Sequence, residues 1–284
     1  GDILVANIRP YLKKIWLADI DGGCSADVLV FKSKEGYLPS FLYYALLRDD
    51  FFIHSMKGSK GTKMPRGDKD HLLEFLIPNF NYVQQEKISQ VLSILDAKII
   101  LNKNINIELE AMTKLIYDYW FVQFDFPDEN GRPYKSSGGK MVFNEDLKRE
   151  IPYGWKVQDF GVANEIRRGD LITSDTIRNG NVKLVSAGVE SSHFHDQSNR
   201  SANVITVSSS GANAGYVNFW REPIFASDCI TVQATNIVET ILSFQFLKMI
   251  QNHIYRKASG SAQPHVYPSD LSNLKYLLPP KNII

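Results

Sequence analysis

The stretch Lys57 to Asp70 carries five cations, Lys57, Lys60, Lys63, Arg66 and Lys69, against two carboxylates, Asp68 and Asp70. Gly58, Gly61 and Gly67 lie among them. Cations in a glycine-rich loop suit contact with a phosphodiester backbone, because the charges neutralise phosphates and the glycines let main-chain N–H groups come close. The plain alternative is a solvated loop between a helix and a strand. A second loop, Ser259-Gly260-Ser261-Ala262-Gln263-Pro264-His265-Val266-Tyr267, is nearly uncharged. Its Gln263 can pair with adenine, and His265 and Tyr267 can bond or stack on bases. Arg167 and Arg168, with Lys183, form another cationic site, as do Arg9, Lys13 and Lys14. The run Ser208-Ser209-Ser210-Gly211 reads as a strand-to-strand loop with exposed hydroxyls. Ser209, Ser210 and the nearby Asn213 join the candidate nucleic-acid contacts.

Catalytic patterns are sparse. Pro127-Asp128 followed by Asp146-Leu147-Lys148 fits the order of a metal-dependent nuclease, in which two carboxylates hold a metal and a lysine stands by the attacked phosphate. Both pieces fall in a stretch dense in proline and glycine, whereas that chemistry is built on adjacent packed strands. His193-Phe194-His195-Asp196 could set two imidazoles on one side of a strand, but no third and fourth ligand stands at a telling spacing. Arg66-Gly67-Asp68 is an adhesion tripeptide in letters only. No Gly-x-x-x-x-Gly-Lys-Ser/Thr phosphate loop, Gly-x-Ser-x-Gly elbow or Asn/Asp-Pro-Pro-Tyr/Phe methyl-transfer motif is present. No catalytic residue, metal ligand or cofactor is therefore expected. Cys24 and Cys229 stand far apart and read as two free thiols.

The elements that must position these residues come from self-comparison. Asp2-Ile3-Leu4-Val5 returns as Asn203-Val204-Ile205-Thr206, Ser25 to Val30 as Ala226 to Thr231, and Leu73 to Pro78 as Leu274 to Pro279, all at an offset of 201. Gly61 to Arg66 resembles Gly260 to His265 after a two-residue adjustment. Two copies of one domain are present, the first without its front half. The first copy spans residues 1–80 and the second 151–280. In the second, strands are expected at Trp155–Val157, Val182–Val185, Val204–Val207, Gly215–Phe219, Cys229–Val232 and Leu274–Leu278, with a helix over 237–256. The first repeats strand, strand, helix (Tyr37 to Met56), loop and strand. The fold class is α+β, with domains of mixed sheet and short helices joined by a long spacer helix of coiled-coil type.

That helix spans residues 81–123. Residues 82–120 hold no glycine or proline, and Asn81 followed by Gln84 fits a capping box. Ile88, Leu92, Leu95, Ile99, Asn102, Asn106, Leu109, Thr113 and Ile116 alternate spacings of four and three, a heptad seam whose polar middle selects register and partner. The seam is read as the single apolar stripe. About 39 residues at 1.5 Å each make a rod of roughly 58 Å. Packing along a globular core is the alternative. Residues 124–150, rich in proline and glycine, read as a linker with a short strand at Met141-Val142-Phe143.

Of the 284 residues, Lys and Arg number 32 and Asp and Glu 31, so the net charge of +1 excludes a chain drawn to nucleic acid by total charge. Polyanion binding would have to come from local patches. No apolar run is long enough for a membrane span, and the start, Gly1-Asp2-Ile3-Leu4-Val5, reads as a strand and not a signal peptide.

Three stretches carry a family resemblance. Val83 to Ile99 looks like the start of a central family helix, Ile151-Pro152-Tyr153-Gly154-Trp155-Lys156 like the opening of a target-recognition domain, and Gly260 to Leu271, running into Leu277-Leu278-Pro279-Pro280, like its closing loop and strand. Together they resemble the specificity (S) subunit of type I restriction–modification systems. The resemblance implies a non-catalytic cytoplasmic subunit whose two recognition domains each read half of a split double-stranded DNA target. Two antiparallel helices hold those domains apart and dock methyltransferase (M) subunits. A methyltransferase methylates adenine, and a separate restriction (R) subunit cuts. At ~3.4 Å per base pair, a rod of ~58 Å spans roughly 17 bp. The chain departs from that pattern by starting inside the first domain and stopping at residues 281–284, the threshold of a second helix. A truncated or rearranged subunit is expected, its seam paired with a second S chain or a half-subunit. The readings that compete are the nuclease above and a DNA-independent scaffold from a truncated gene.

Overall fold

Alternation of apolar residues builds the first sheet. β1 (Ile3–Ala6) buries Ile3 and Val5 and pairs antiparallel with both β2 (Ile15–Leu17) and β3 (Val28–Phe31), giving the order β2-β1-β3. The computed structural model describes residues 1–61, 63–173, 178–191, 193–258, 264–281 and 283. The chain divides into two units, Gly1–Leu109 and Glu110–Ile284.

In the first unit, α1 (Pro39–Leu46) and α2 (Asp49–Lys57) replace the single helix expected from Tyr37 to Met56, because Arg48 is extended. Pro39 opens α1 where a missing N–H costs nothing. Asp49 and Asp50 open α2 where the helix dipole favours carboxylates. Leu42, Leu46, Phe51 and Phe52 close over Ile3 and Val5, joined by Leu72 of α3 (Lys69–Leu73). A fully buried side chain of this size contributes about 2 kcal/mol. The strand expected after α3 does not form, and Leu73 and Leu76 stay exposed.

α4 (Tyr82–Tyr117) starts on the expected capping box. The Gln84 N–H donates to Asn81 Oδ1 at 2.9 Å, and Asn81 N–H to Gln84 Oε1 at 3.1 Å. Gln85 is buried and ties α4 to the first unit. Its Oε1 accepts from Leu38 N–H (2.9 Å) and its Nε2 donates to the carbonyls of Gly36 (3.0 Å) and Phe80 (2.8 Å). Tyr44 Oη donates to Asp96 at 2.9 Å. Beyond that bond, every residue from 97 to 116 is exposed. The expectation of one apolar stripe is corrected here: Val91, Ile94, Ile100, Leu101, Ile105, Ile107, Met112 and Leu115 lie off the seam and are exposed as well. The helix passes into a π turn at Asp118–Val122.

The linker reading of 124–150 also needs correction. Phe124, Phe126, Ile151 and Trp155 form a core of their own, with Trp120, Tyr134 and Leu277 packed against it. The hairpin of β4 (Met141–Asn144) and β5 (Arg149–Pro152) covers that core. β6 (Lys156–Asp159) leads through the short α5 (Phe160–Ala163) to β7 (Glu165–Arg168), β8 (Val182–Val185) and β9 (His193–His195). Then come β10 (Val204–Ser208), β11 (Val217–Trp220), β12 (Ile224–Ala226) and β13 (Cys229–Gln233). Two sheets result, ordered β11-β10-β13-β7 and β12-β8-β9. The expected helix over 237–256 is two, α6 (Ile237–Met249) and α7 (Gln251–Ala258), broken at Ile250. α8 (Pro268–Ser272) and β14 (Lys275–Leu278) follow, β14 pairing with β6.

The repeat is visible in the pairing. The order β2-β1-β3 returns as β11-β10-β13, with Val5 opposite Leu29 and Val207 opposite Ile230. Val5 and Val207 are 202 residues apart and Leu29 and Ile230 are 201 apart, so the copies slip by one residue between strands. The strand missing after α3 now has its reason. Its counterpart β14 is held by β6, and the described residues of the first unit contain no counterpart of β6. No helix among the described residues is long and apolar enough to cross a membrane.

Candidate nucleic-acid interface

Two cationic sites of the first unit prove to be one. The turn 7–14 and the loop 57–70 share main-chain hydrogen bonds. Arg9 N–H donates to Pro65 O at 2.8 Å and Gly67 N–H to Asn7 O at 3.0 Å, around an antiparallel bridge between Ile8 and Arg66. Arg9 therefore stands beside the segment of the loop that carries Arg66. Arg9 and Lys13 both adopt the left-handed conformation, which non-glycine residues rarely take. Within the loop, Lys60 and Arg66 pair across a second bridge, with bonds of 2.9 and 3.0 Å.

The cations of this surface differ in how they are held. Lys60 is bound to Asp68 at 2.8 Å. That bond holds the Asp68 carboxyl below its ordinary range and the Lys60 ammonium above its own. Asp68 also caps α3, accepting from Asp70 N–H (3.0 Å) and His71 N–H (3.3 Å). Lys13 pairs with Asp49 at 2.7 Å, and Arg66 with Asp27 at 2.8 Å. Lys63 and Lys69 are exposed and make no ion pair among the described residues.

The second unit repeats the construction with other chemistry. Ser210 bridges His265, and Val266 N–H donates to Ser209 O at 2.9 Å. His265 and Tyr267 are exposed on either side of the buried Val266, their rings stacked at 6.2 Å. Tyr267 N–H donates to Asp270 at 2.8 Å, which fixes the start of α8. Gln263, with Gly260, Ser261 and Ala262, lies outside the described residues.

The serine run differs from expectation. Ser209 is buried and Ser210 half-buried, and both hydroxyls donate to the Asp228 carboxylate. Ser208 Oγ donates to Ala187 O at 2.7 Å. The exposed-hydroxyl reading fails because a carboxylate at the start of β13 satisfies both groups from across the sheet. Asn213 ends a 3-10 turn and is half-exposed. Arg167 and Arg168 lie on β7, where Arg168 pairs with Ile230, so they share the sheet end next to Asp228, which precedes β13. Arg167 is paired with Glu165, and Lys183, in another sheet, with Glu222 at 2.5 Å.

Asp27 and Asp228 were not singled out from the sequence, although both sit in one matched window of the repeat. An aspartate at the same place in each copy was the available signal. The nuclease pattern finds its residues in turns. Asp128 accepts from the N–H groups of Asn130 and Arg132 (both 2.8 Å) and pairs with Arg132, and Lys148 pairs with Glu145 at 2.8 Å. His195 is buried against Phe225 while His193 is exposed. Among the described residues, no three His, Cys, Asp or Glu side chains converge as metal ligands.

Comparison with known proteins agrees with this geometry. Residues 6–111 and 153–283 match the family described as type I restriction modification DNA specificity domain. The chain is 24% identical over 272 residues to the type I restriction enzyme MjaIX specificity subunit of Methanocaldococcus jannaschii, covering 88% of this chain and 61% of that one. It thus spans about three-fifths of that relative's length. Over 88 residues it is 32% identical to the type I restriction enzyme EcoDI specificity subunit of Escherichia coli, covering 31% of this chain and 19% of that one. The crystal structure of the type I restriction–modification S subunit from M. genitalium superposes with a TM-score of 0.56 at 20% identity, covering 97% of this chain and 71% of that one.

Proposed function

This chain belongs to the type I restriction modification DNA specificity family, and on that premise we propose that it is a non-catalytic subunit reading the two halves of a bipartite double-stranded DNA target in the cytoplasm. One observation carries the reading. The same device occurs twice, a closing loop bridged to the end of a central strand, at Ile8–Arg66 and at Ser210–His265. Two copies of one scaffold with different side chains at the tip suit two half-sites of different sequence.

In the first unit Lys60, Lys63, Arg66 and Lys69 face DNA. In the second, Gln263, His265 and Tyr267 do so, with Asn213, Arg167 and Arg168 beside them. Ser209 and Ser210 act from behind, by fixing the strand on which His265 is seated. α4 serves as the spacer. Its seam of Ile88, Leu92, Leu95, Ile99, Asn102, Asn106, Leu109 and Ile116 pairs with a helix of a second specificity chain or half-subunit. The further apolar residues outside the seam give methyltransferase subunits a surface, and through them the restriction subunit. Residues 1–80 and 151–280 are the recognition modules in this reading.

Comparing adenine methylation across the genome with and without the gene tests it. Loss of methylation at one two-part motif is the expected result. An unchanged pattern in cells that hold the methyltransferase would overturn it.

A further inference from the structure

Arg66 is fixed where Lys63 and Lys69 are not. Its main chain is bridged on one side to Ile8 and on the other to Lys60. Its guanidinium is held 2.8 Å from Asp27 Oδ1, and more than half of the side chain stays exposed. Lys63 and Lys69 on the same loop have no such anchor among the described residues. A phosphate contact needs only a positive charge within reach. A carboxylate beside that charge weakens such a contact, because Asp27 is itself partly exposed and repels phosphate. What Asp27 supplies is direction. A guanidinium has five N–H donors in a rigid fork, and one occupied edge leaves the others aimed outward.

We propose that Arg66, oriented by Asp27, is the base-reading side chain of the first unit and that it selects guanine. Guanine presents N7 and O6 side by side in the major groove, the acceptor pair that a fixed guanidinium fork matches. The second unit makes the same place different. Asp228 stands where Asp27 stands, but it accepts from the hydroxyls of Ser209 and Ser210, and His265 occupies the position of Arg66. Among the described residues no guanidinium is held there, so the two copies of the loop prefer different bases. This inference rests on the DNA-reading function above and names what one half of that site recognises.

The test is selection from a randomised duplex library with the full chain, carried out together with the methyltransferase subunits of its system. The wild type enriches a two-part motif with a guanine in one half. Arg66→Ala loses about ten- to hundredfold of the preference at that guanine and keeps the rest of the motif. Asp27→Asn moves two readouts in opposite directions: binding to unrelated DNA tightens, and the guanine preference falls. Lys63→Ala and Lys69→Ala weaken binding alike on every sequence. A wild-type motif without guanine in either half, an unchanged motif in Arg66→Ala, or an equal loss on all sequences overturns the inference and leaves the function standing. A wild type that enriches no motif removes both.

Discussion

The imidazoles of His54 and His71 lie face to face, their centroids 4.0 Å apart and their planes 13° from parallel. His54 Nε2 donates to His71 O at 2.7 Å, and His71 Nε2 to His54 O at 3.1 Å. One ring belongs to α2 and the other to α3, so the pair clasps the two ends of the basic loop. The loop is cationic and glycine-rich, yet its feet are held in one geometry.

Gly58 makes room for that clasp. A Cβ there would come within 2.1 Å of the His71 ring. Gly58→Ala is expected to cost about 1–3 kcal/mol by overpacking and to speed tryptic cleavage after Lys60 and Lys63. Unchanged denaturant midpoint and cleavage would show that the stack yields without loss.

The two ends of α4 should respond differently to substitution. Gln85→Ala removes a buried side chain that serves three main-chain groups, and about 2–4 kcal/mol of stability is expected to go with it. Ile99→Ser, at an exposed seam position, should change the stability of the isolated chain by less than about 0.5 kcal/mol but lower its self-association in light scattering. A large loss of stability for Ile99→Ser would mean that the seam is packed within the chain.

The two thiols should separate in a labelling experiment. Cys24 is exposed, whereas Cys229 is buried at the start of β13 and desolvation pushes its thiol up to about 12. A thiol is reactive as the thiolate. One equivalent of reagent is therefore expected to react in the native chain and a second only after unfolding. Two rapid equivalents would contradict the burial of Cys229.

Acid stability should depend on Asp125. Its carboxylate accepts from the hydroxyl of Ser136 at 2.6 Å and from its N–H at 2.7 Å, which holds the carboxyl below its ordinary value of 3.8. A group whose value is lowered on folding stabilises the chain above its unfolded value, and that contribution is lost as pH falls through the folded one. Ser136→Ala is expected to be less stable than the wild type at neutral pH, with the difference shrinking below about pH 4. A difference that stays constant down to pH 2 would assign the loss to packing.

Much of this was legible in the residues themselves. The matched windows at Asp2–Val5 and Asn203–Thr206 predicted two copies, because strands buried in one way repeat their apolar residues, and the structure shifts that match by one residue. The missing glycines and prolines, with Asn81 and Gln84, marked α4 and its cap. What escaped depends on partners far along the chain. A serine run reads as exposed until Asp228 arrives from another strand, and Arg66 reads as one cation among five until Asp27 is placed beside it. Proline and glycine between Phe124 and Gly154 disguised a small aromatic core, in which Phe126 stacks on Tyr134 and Trp155 at 4.7 and 5.3 Å. The helix breaks at Arg48 and Ile250 were hidden because neither is a residue that ordinarily ends a helix.

The bare middle of α4 also bears on how much of this protein a cell can keep. From residue 97 to 116 the helix offers isoleucine, leucine and methionine to water on several sides, a surface of the kind that chaperones and proteases act on. Copies without a partner over that surface would be the ones removed first. Abundance would then follow the partner's supply, and raising the gene's expression alone would yield turnover rather than more assembled protein.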